Sequence, residues 1–130
     1  MSRLRPSFPP DVAAALQRPA GSVSVRYTVP GSVARGPRFD TPLMETPYED
    51  VLAALTLDTK RNIRFVRTGS RTEGARVALV NVAPLVVAGL HWDIALSWDP
   101  ERMRVAVRDQ HAAGSAALVG RWPRRRDANS

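Results

Sequence analysis

His91 and Asp93 stand two residues apart, and Trp92 and Trp98 six apart, in a stretch that alternates apolar with polar residues. In an extended chain successive side chains point to opposite faces. His91 and Asp93 then share one face, where a carboxylate can orient an imidazole. Catalysis would also need a nucleophile and oxyanion donors beside that pair, and the sequence holds no Gly-x-Ser-x-Gly or similar motif. The pair therefore reads as structural or solvent-facing. Trp92 and Trp98 share the other face with Ile94 and Leu96. Indole rings can stack on the apolar faces of sugars, but a continuous apolar stripe is the interior side of a strand. Trp92, Ile94, Leu96 and Trp98, with Val105 and Val107 of the following segment, are assigned to the core.

Charge supplies the second candidate chemistry. The 130 residues carry 19 Lys+Arg against 12 Asp+Glu, a net charge of +7, and Lys60 is the only lysine. Such a surplus favours anionic partners. Arg102, Arg104 and Arg108 fall on the outward side of the segment holding Val105 and Val107, and Arg26 and Arg64 are candidates to lie beside them across a sheet. Together they would form a surface for sulfated or acidic glycans or for nucleic acid. Asp93, Asp99 and Asp109 could instead pair with them and leave a solvated face. Trp122, next to Pro123 and the run Arg124, Arg125 and Arg126, reads as exposed, either as a contact residue or as a cap on the end of the sandwich. The expected binding set is Arg102, Arg104, Arg108, Arg64 and Trp122.

Several function classes drop out. With no cysteine there is no disulfide framework, Cys-based zinc site or iron–sulfur cluster. Two histidines, His91 and His111, make a poor basis for a His-rich metal site. Glycoside hydrolysis needs paired carboxylates on one concave face, whereas Asp40, Asp58, Asp99 and Glu101 sit in or near turns. No catalytic residue, cofactor or metal is assigned, and the expected role is non-enzymatic. No segment approaches the ~18 apolar residues of a membrane span. No apolar run follows Arg3 and Arg5 as in a secretory signal. The expected setting is cytoplasmic or virion-associated, without a membrane partner.

The elements needed to position these residues are mostly strands. Residues 1–9 read as a flexible arm, residues 10–120 as one domain, and residues 121–130 as a basic disordered tail. Pro10 opens a short helix through Arg18, with Asp11 near its positive end and Pro19 and Gly21 ending it. From Ser22 the period becomes two, through Val23, Val25, Tyr27 and Val29. Residues 32–47, with three prolines, read as a long connection. Further strands are expected over residues 51–57, 62–68, 76–82 and 85–88. The clearest pair is 91–98 and 102–108, joined by a turn at Asp99 and Pro100. A last strand is expected over residues 115–119. Some seven strands at intervals of roughly 8–15 residues indicate an antiparallel sandwich.

The hairpin also resembles a known family. Gly89, Leu90, His91, Trp92 and Asp93, then Ile94, Ala95, Leu96, Ser97 and Trp98, then Arg102 through Asp109, look like the signature hairpin of laminin G-like, concanavalin A-like domains. Gly21 through Pro30 and Asn62 through Arg67 match that family's early and middle strands. Here His91-Trp92 inverts the usual Trp-His order, and no glycine turn closes the second strand. The resemblance implies an all-β jelly-roll sandwich with a short N-terminal helix. It also implies a carbohydrate ligand or a place in an assembly, in the manner of phage tail and other phage structural proteins. Some relatives bind calcium, for which Asp58, Asn62 and Asn81 are conceivable ligands. The alternative role is a basic domain for nucleic acid or another polyanion.

Overall fold

Alternation of apolar and polar residues becomes eight strands in the computed structural model, which describes residues 7–35, 40–46, 51–68, 75–110 and 118–119. In chain order the elements are α1 (Pro10–Ala15), β1 (Gly21–Thr28), α2 (Gly31–Ala34), β2 (Thr41–Glu45), β3 (Leu52–Leu57), β4 (Asn62–Thr68) and β5 (Ala75–Asn81). A 3-10 turn at Ala83–Leu85 precedes β6 (His91–Trp98), β7 (Met103–Asp109) and β8 (Leu118–Val119). They form two four-stranded sheets, ordered β1-β6-β7-β8 and β2-β3-β4-β5. Every pairing between these strands is antiparallel. The result is a mostly β, two-sheet sandwich with few helices. Four consecutive strands fill one sheet as a meander, and β1 pairs with β6 in the other.

The sheets meet through the inward half of each alternating strand. Leu55, Leu57, Ile63 and Phe65 face Trp92, Ile94, Leu96, Trp98, Val105 and Val107, and all of these are buried. Val12 and Ala13 of α1, with Leu16 just beyond its end, close one side of the same core. Gln17 fastens the end of that helix to the sheet. Its side-chain amide donates to the Val51 carbonyl at 2.8 Å and accepts from the Val51 N–H at 2.9 Å. The Trp92 indole N–H donates to the Leu85 carbonyl at 2.8 Å, so the ring is buried without an orphan donor.

Arg67 shares the inward side of β4 with Ile63 and Phe65, and it is buried too. A cation there needs hydrogen-bond partners. Its Nε donates to the Leu16 carbonyl at 3.2 Å and its Nη2 to the Arg18 carbonyl at 2.6 Å. Those carbonyls lie past the end of α1, where the helix has no further N–H to offer them. The guanidinium also lies 5.8 Å from the Trp98 ring centroid. The Trp98 indole N–H donates to the same Arg18 carbonyl at 2.9 Å. Gly21 passes so close that a Cβ there would stand 2.9 Å from Trp98 Cζ2.

Four expectations change. Residues 32–47 contain a strand, β2, as well as the single turn α2. Pro42 is accommodated because β2 shifts register between Pro42 and Met44, where a missing ladder N–H is tolerated. Residues 85–88 form no strand: Pro84 lacks an N–H for a ladder, and the chain makes the 3-10 turn at Ala83–Leu85 instead. The arm does not extend to Pro9, since the Phe8 N–H donates to the Glu45 carbonyl at 3.1 Å and the Phe8 ring is buried. The helix ends at Ala15 rather than Arg18. Residues 115–117 and the tail from 121 lie outside the described residues.

Two substitutions test this packing. Trp92→Ala should cost about 3–5 kcal/mol of stability in urea unfolding. Arg67→Met keeps the volume but leaves the Leu16 carbonyl without its donor, and should cost about 2–3 kcal/mol.

Candidate anion-binding face

The outward half of β1, β6 and β7 forms one face whose residues follow from strand register. Ser22, Ser97 and Arg104 stand in one row across the sheet, and Ser24, Ala95 and Ala106 in the next. Arg26, Asp93 and Arg108 make the third row. Thr28 and His91 make the fourth, which Gln110 extends by donating its backbone N–H to the His91 carbonyl at 2.8 Å. Serine and alanine keep the centre of the face low, and arginines stand at its margins.

Asp93 sits between two cations. Its carboxylate lies 3.7 Å from Arg26 Nε and 3.4 Å from Arg108 Nη2. The arginine side chains remain 78% and 48% exposed. Ion pairs in such water-accessible settings hold their partners weakly, at about 0–1 kcal/mol. An incoming anion can therefore share these guanidiniums. Arg104 is also exposed, and Asp93 is the one carboxylate within the paired rows of this face.

At the end of the face a cleft of about 320 Å³ is lined by Arg26, Tyr27, Thr28, His91 and Gln110. Thr28 Oγ1 and His91 Nδ1 are hydrogen bonded at 2.8 Å. Tyr27 comes from the inward side of β1 and packs on Trp92, with ring centroids 5.6 Å apart. Burial pushes the Tyr27 phenol above its ordinary pKa, and at neutral pH the hydroxyl is protonated in any case and can donate a hydrogen bond. The cleft thus combines one cation with hydroxyl, imidazole and amide groups. That set suits an anionic group carried on a polar body.

The sequence-based binding set is divided by the fold. Arg104 and Arg108 lie on the face just described. Arg102 precedes β7 in an exposed turn that Asp99 organises. Asp99 Oδ1 accepts the N–H groups of Glu101 and Arg102, each at 2.7 Å. The Glu101 and Arg102 hydrogen bonds, followed by the charges of Arg102 and Arg104, hold the Asp99 carboxyl below its usual pKa. Arg64 does not join them: it lies on the outer side of the other sheet, 3.6 Å from Asp58. Trp122 lies outside the described residues. Arg26, Thr28, His91 and Gln110 complete the face. Their strands alternate plainly in sequence, but which strands are neighbours is not a local property.

Asp58, Asn62 and Asn81 do come together, as a knot that ties a turn. Asp58 Oδ1 accepts the Lys60 and Asn62 N–H groups, each at 2.9 Å, and Oδ2 accepts from Asn62 Nδ2 at 3.2 Å. Asn81 Nδ2 donates to Asn62 Oδ1 at 3.0 Å and to the Lys60 carbonyl at 3.1 Å. The amide and carboxylate oxygens that a calcium ion would take are engaged within the turn. Among the described residues no group of three or more His, Cys, Asp or Glu side chains could hold a metal ion. No described helix is long and apolar enough to cross a membrane. Comparison with protein-family models, curated proteins and solved structures finds no match to this chain.

The knot makes a pH prediction. Burial pushes the Asp58 carboxyl up, but the Asn62 and Lys60 hydrogen bonds and the nearby Arg64 outweigh it and leave the pKa below its ordinary value. The folded state then binds fewer protons than the unfolded state. The stabilisation is present above the usual carboxylate pKa of about 4 and is lost as pH falls below it. Asp58→Ala should be less stable near neutral pH, and its urea midpoint should fall less steeply than that of the parent protein between about pH 4 and pH 2.

Proposed function

We propose that this chain is a non-enzymatic binding module that holds a polyanion on the outward face of β1, β6 and β7. One observation carries the reading: Arg26, Arg104 and Arg108 share a single sheet face, exposed, with Asp93 the one carboxylate in their rows. Arg104 and Arg108 are four residues apart on β7, about 13 Å at the strand rise. Arg26 is two strands from Arg108, about 10 Å away. That spread matches a ligand with repeated negative charges better than a single small anion. The cleft beside Arg26 gives the bound chain a polar end-point.

Trp92 and Trp98 are buried in the core and offer no stacking platform for a neutral sugar. Acidic and sulfated glycans remain within the polyanion class, together with nucleic acid, because guanidinium groups recognise sulfate, carboxylate and phosphate by the same charge-assisted hydrogen bonds.

Retention on heparin and binding to a short DNA duplex should both weaken with salt. Three phosphate contacts imply about a 40-fold loss of DNA affinity between roughly 50 and 200 mM salt. Changing Arg26, Arg104 and Arg108 together to serine should abolish most of that dependence, while Arg64→Ser should leave it unchanged. Binding that ignores salt, or a triple variant that binds like the parent protein, would overturn the proposal.

A further inference from the structure

The opposite side of the sandwich is chemically different. Sheet β2-β3-β4-β5 ends at β5, and no described strand pairs with its other edge. β5 runs seven residues in unbroken register with β4. It contains no proline, and Arg76 is its only charged residue. Edge strands are commonly protected by prolines, bulges or charged side chains; β5 has no proline and no bulge, and its single charge, Arg76, stands near its start on the inward side opposite Arg67.

The ladder fixes which backbone groups are left at that edge. The Val82 N–H donates to the Arg61 carbonyl at 2.8 Å. Hydrogen-bonded positions alternate along an antiparallel pair, so Val80, Ala78 and Arg76 direct their backbone groups to β4. Val77 and Leu79 direct theirs away from it. The same two residues carry apolar side chains that are 56% and 54% exposed.

We infer that two copies of this chain pair edge to edge through β5, antiparallel about a twofold axis at Ala78. In that register each Val77 stands opposite Leu79 of the second copy. The free backbone groups of both residues are then satisfied, and the exposed apolar side chains cover one another. The isologous pairing closes at two copies.

Electrostatics selects the same edge. Each copy carries a net charge of +7, so contact through the arginine face is opposed by like charge. Around β5 the outward residues Leu52, Ala54, Val66 and Thr68 are uncharged, and Arg64 is ion-paired with Asp58. The outward side of this sheet near β5 therefore opposes a second basic copy less than the arginine face does, and Arg76, whose guanidinium donates to the Asp99 carbonyl at 3.2 Å, is the one charge on the pairing strand. Added salt screens what repulsion remains, so pairing should strengthen with ionic strength, the reverse of polyanion binding. The inference does not rest on the polyanion reading.

Sedimentation equilibrium of the intact chain, at low and high salt, tests it. The expected result is a monomer–dimer equilibrium at micromolar to millimolar concentration whose dimer fraction rises with salt. The double variant Val77→Lys, Leu79→Lys should remain monomeric with an unchanged far-UV spectrum. Val77→Pro is a second probe, since it removes an edge N–H that the β4 ladder does not use, and it too should lose the dimer. A parent protein that stays monomeric up to about 1 mM, where pairing would be worth no more than about 4 kcal/mol, would overturn the inference. So would a dimer that survives in both variants, or masses that grow beyond two copies.

Discussion

The buried guanidinium of Arg67 is the constraint around which the rest of the structure is arranged. It joins three elements distant in sequence: β4 carries it, the chain beyond α1 supplies its acceptors, and Trp98 of β6 lies beside it. Removing a cation from water is costly unless it is fully hydrogen bonded. The carbonyls of Leu16 and Arg18 supply two of its acceptors, and they are placed to do so because α1 ends where it does. Trp98 shares the Arg18 carbonyl and can reach it only because Gly21 has no side chain. One polar contact therefore sets the placement of the helix, the seating of one sheet on the other and the start of β1.

The candidate face inherits its geometry from that arrangement. Once Trp98 is fixed, the pairing of β1 with β6 follows residue by residue from Gly21 opposite Trp98 to Thr28 opposite His91. A slip of one residue would send Val23 and Val25 outward. The same register brings Arg26, Asp93 and Arg108 into one row. The positions of the arginines are thus a consequence of core packing, and the face is a rigid platform rather than a set of mobile loops.

Much of this was legible in the sequence, and what was hidden has physical causes. Alternation over residues 91–98 and 102–108 identifies the hairpin and its inward face, because burial on one side imposes period two. The same period places Arg67 with Ile63 and Phe65, a signal of a buried cation that a reading by residue type alone passes over. β2 was masked by Pro42, which the strand absorbs at a register shift. The separation of Arg64 from Arg104 and Arg108 could not be read locally: all three lie on outward positions of alternating strands, and sheet membership depends on pairing between distant segments. The cleft at Thr28, His91 and Gln110 was hidden for the same reason, since it exists only where three strand ends meet.

Mapping amide chemical-shift changes during titration with a short sulfated oligosaccharide tests the central claim most directly, because it reads location rather than affinity. The account predicts changes confined to β1, β6 and β7, strongest at Arg26, His91, Asp93, Arg104 and Arg108, with β3, β4 and β5 unaffected. Changes concentrated on the β3-β4-β5 side, or none at saturating ligand, would contradict it.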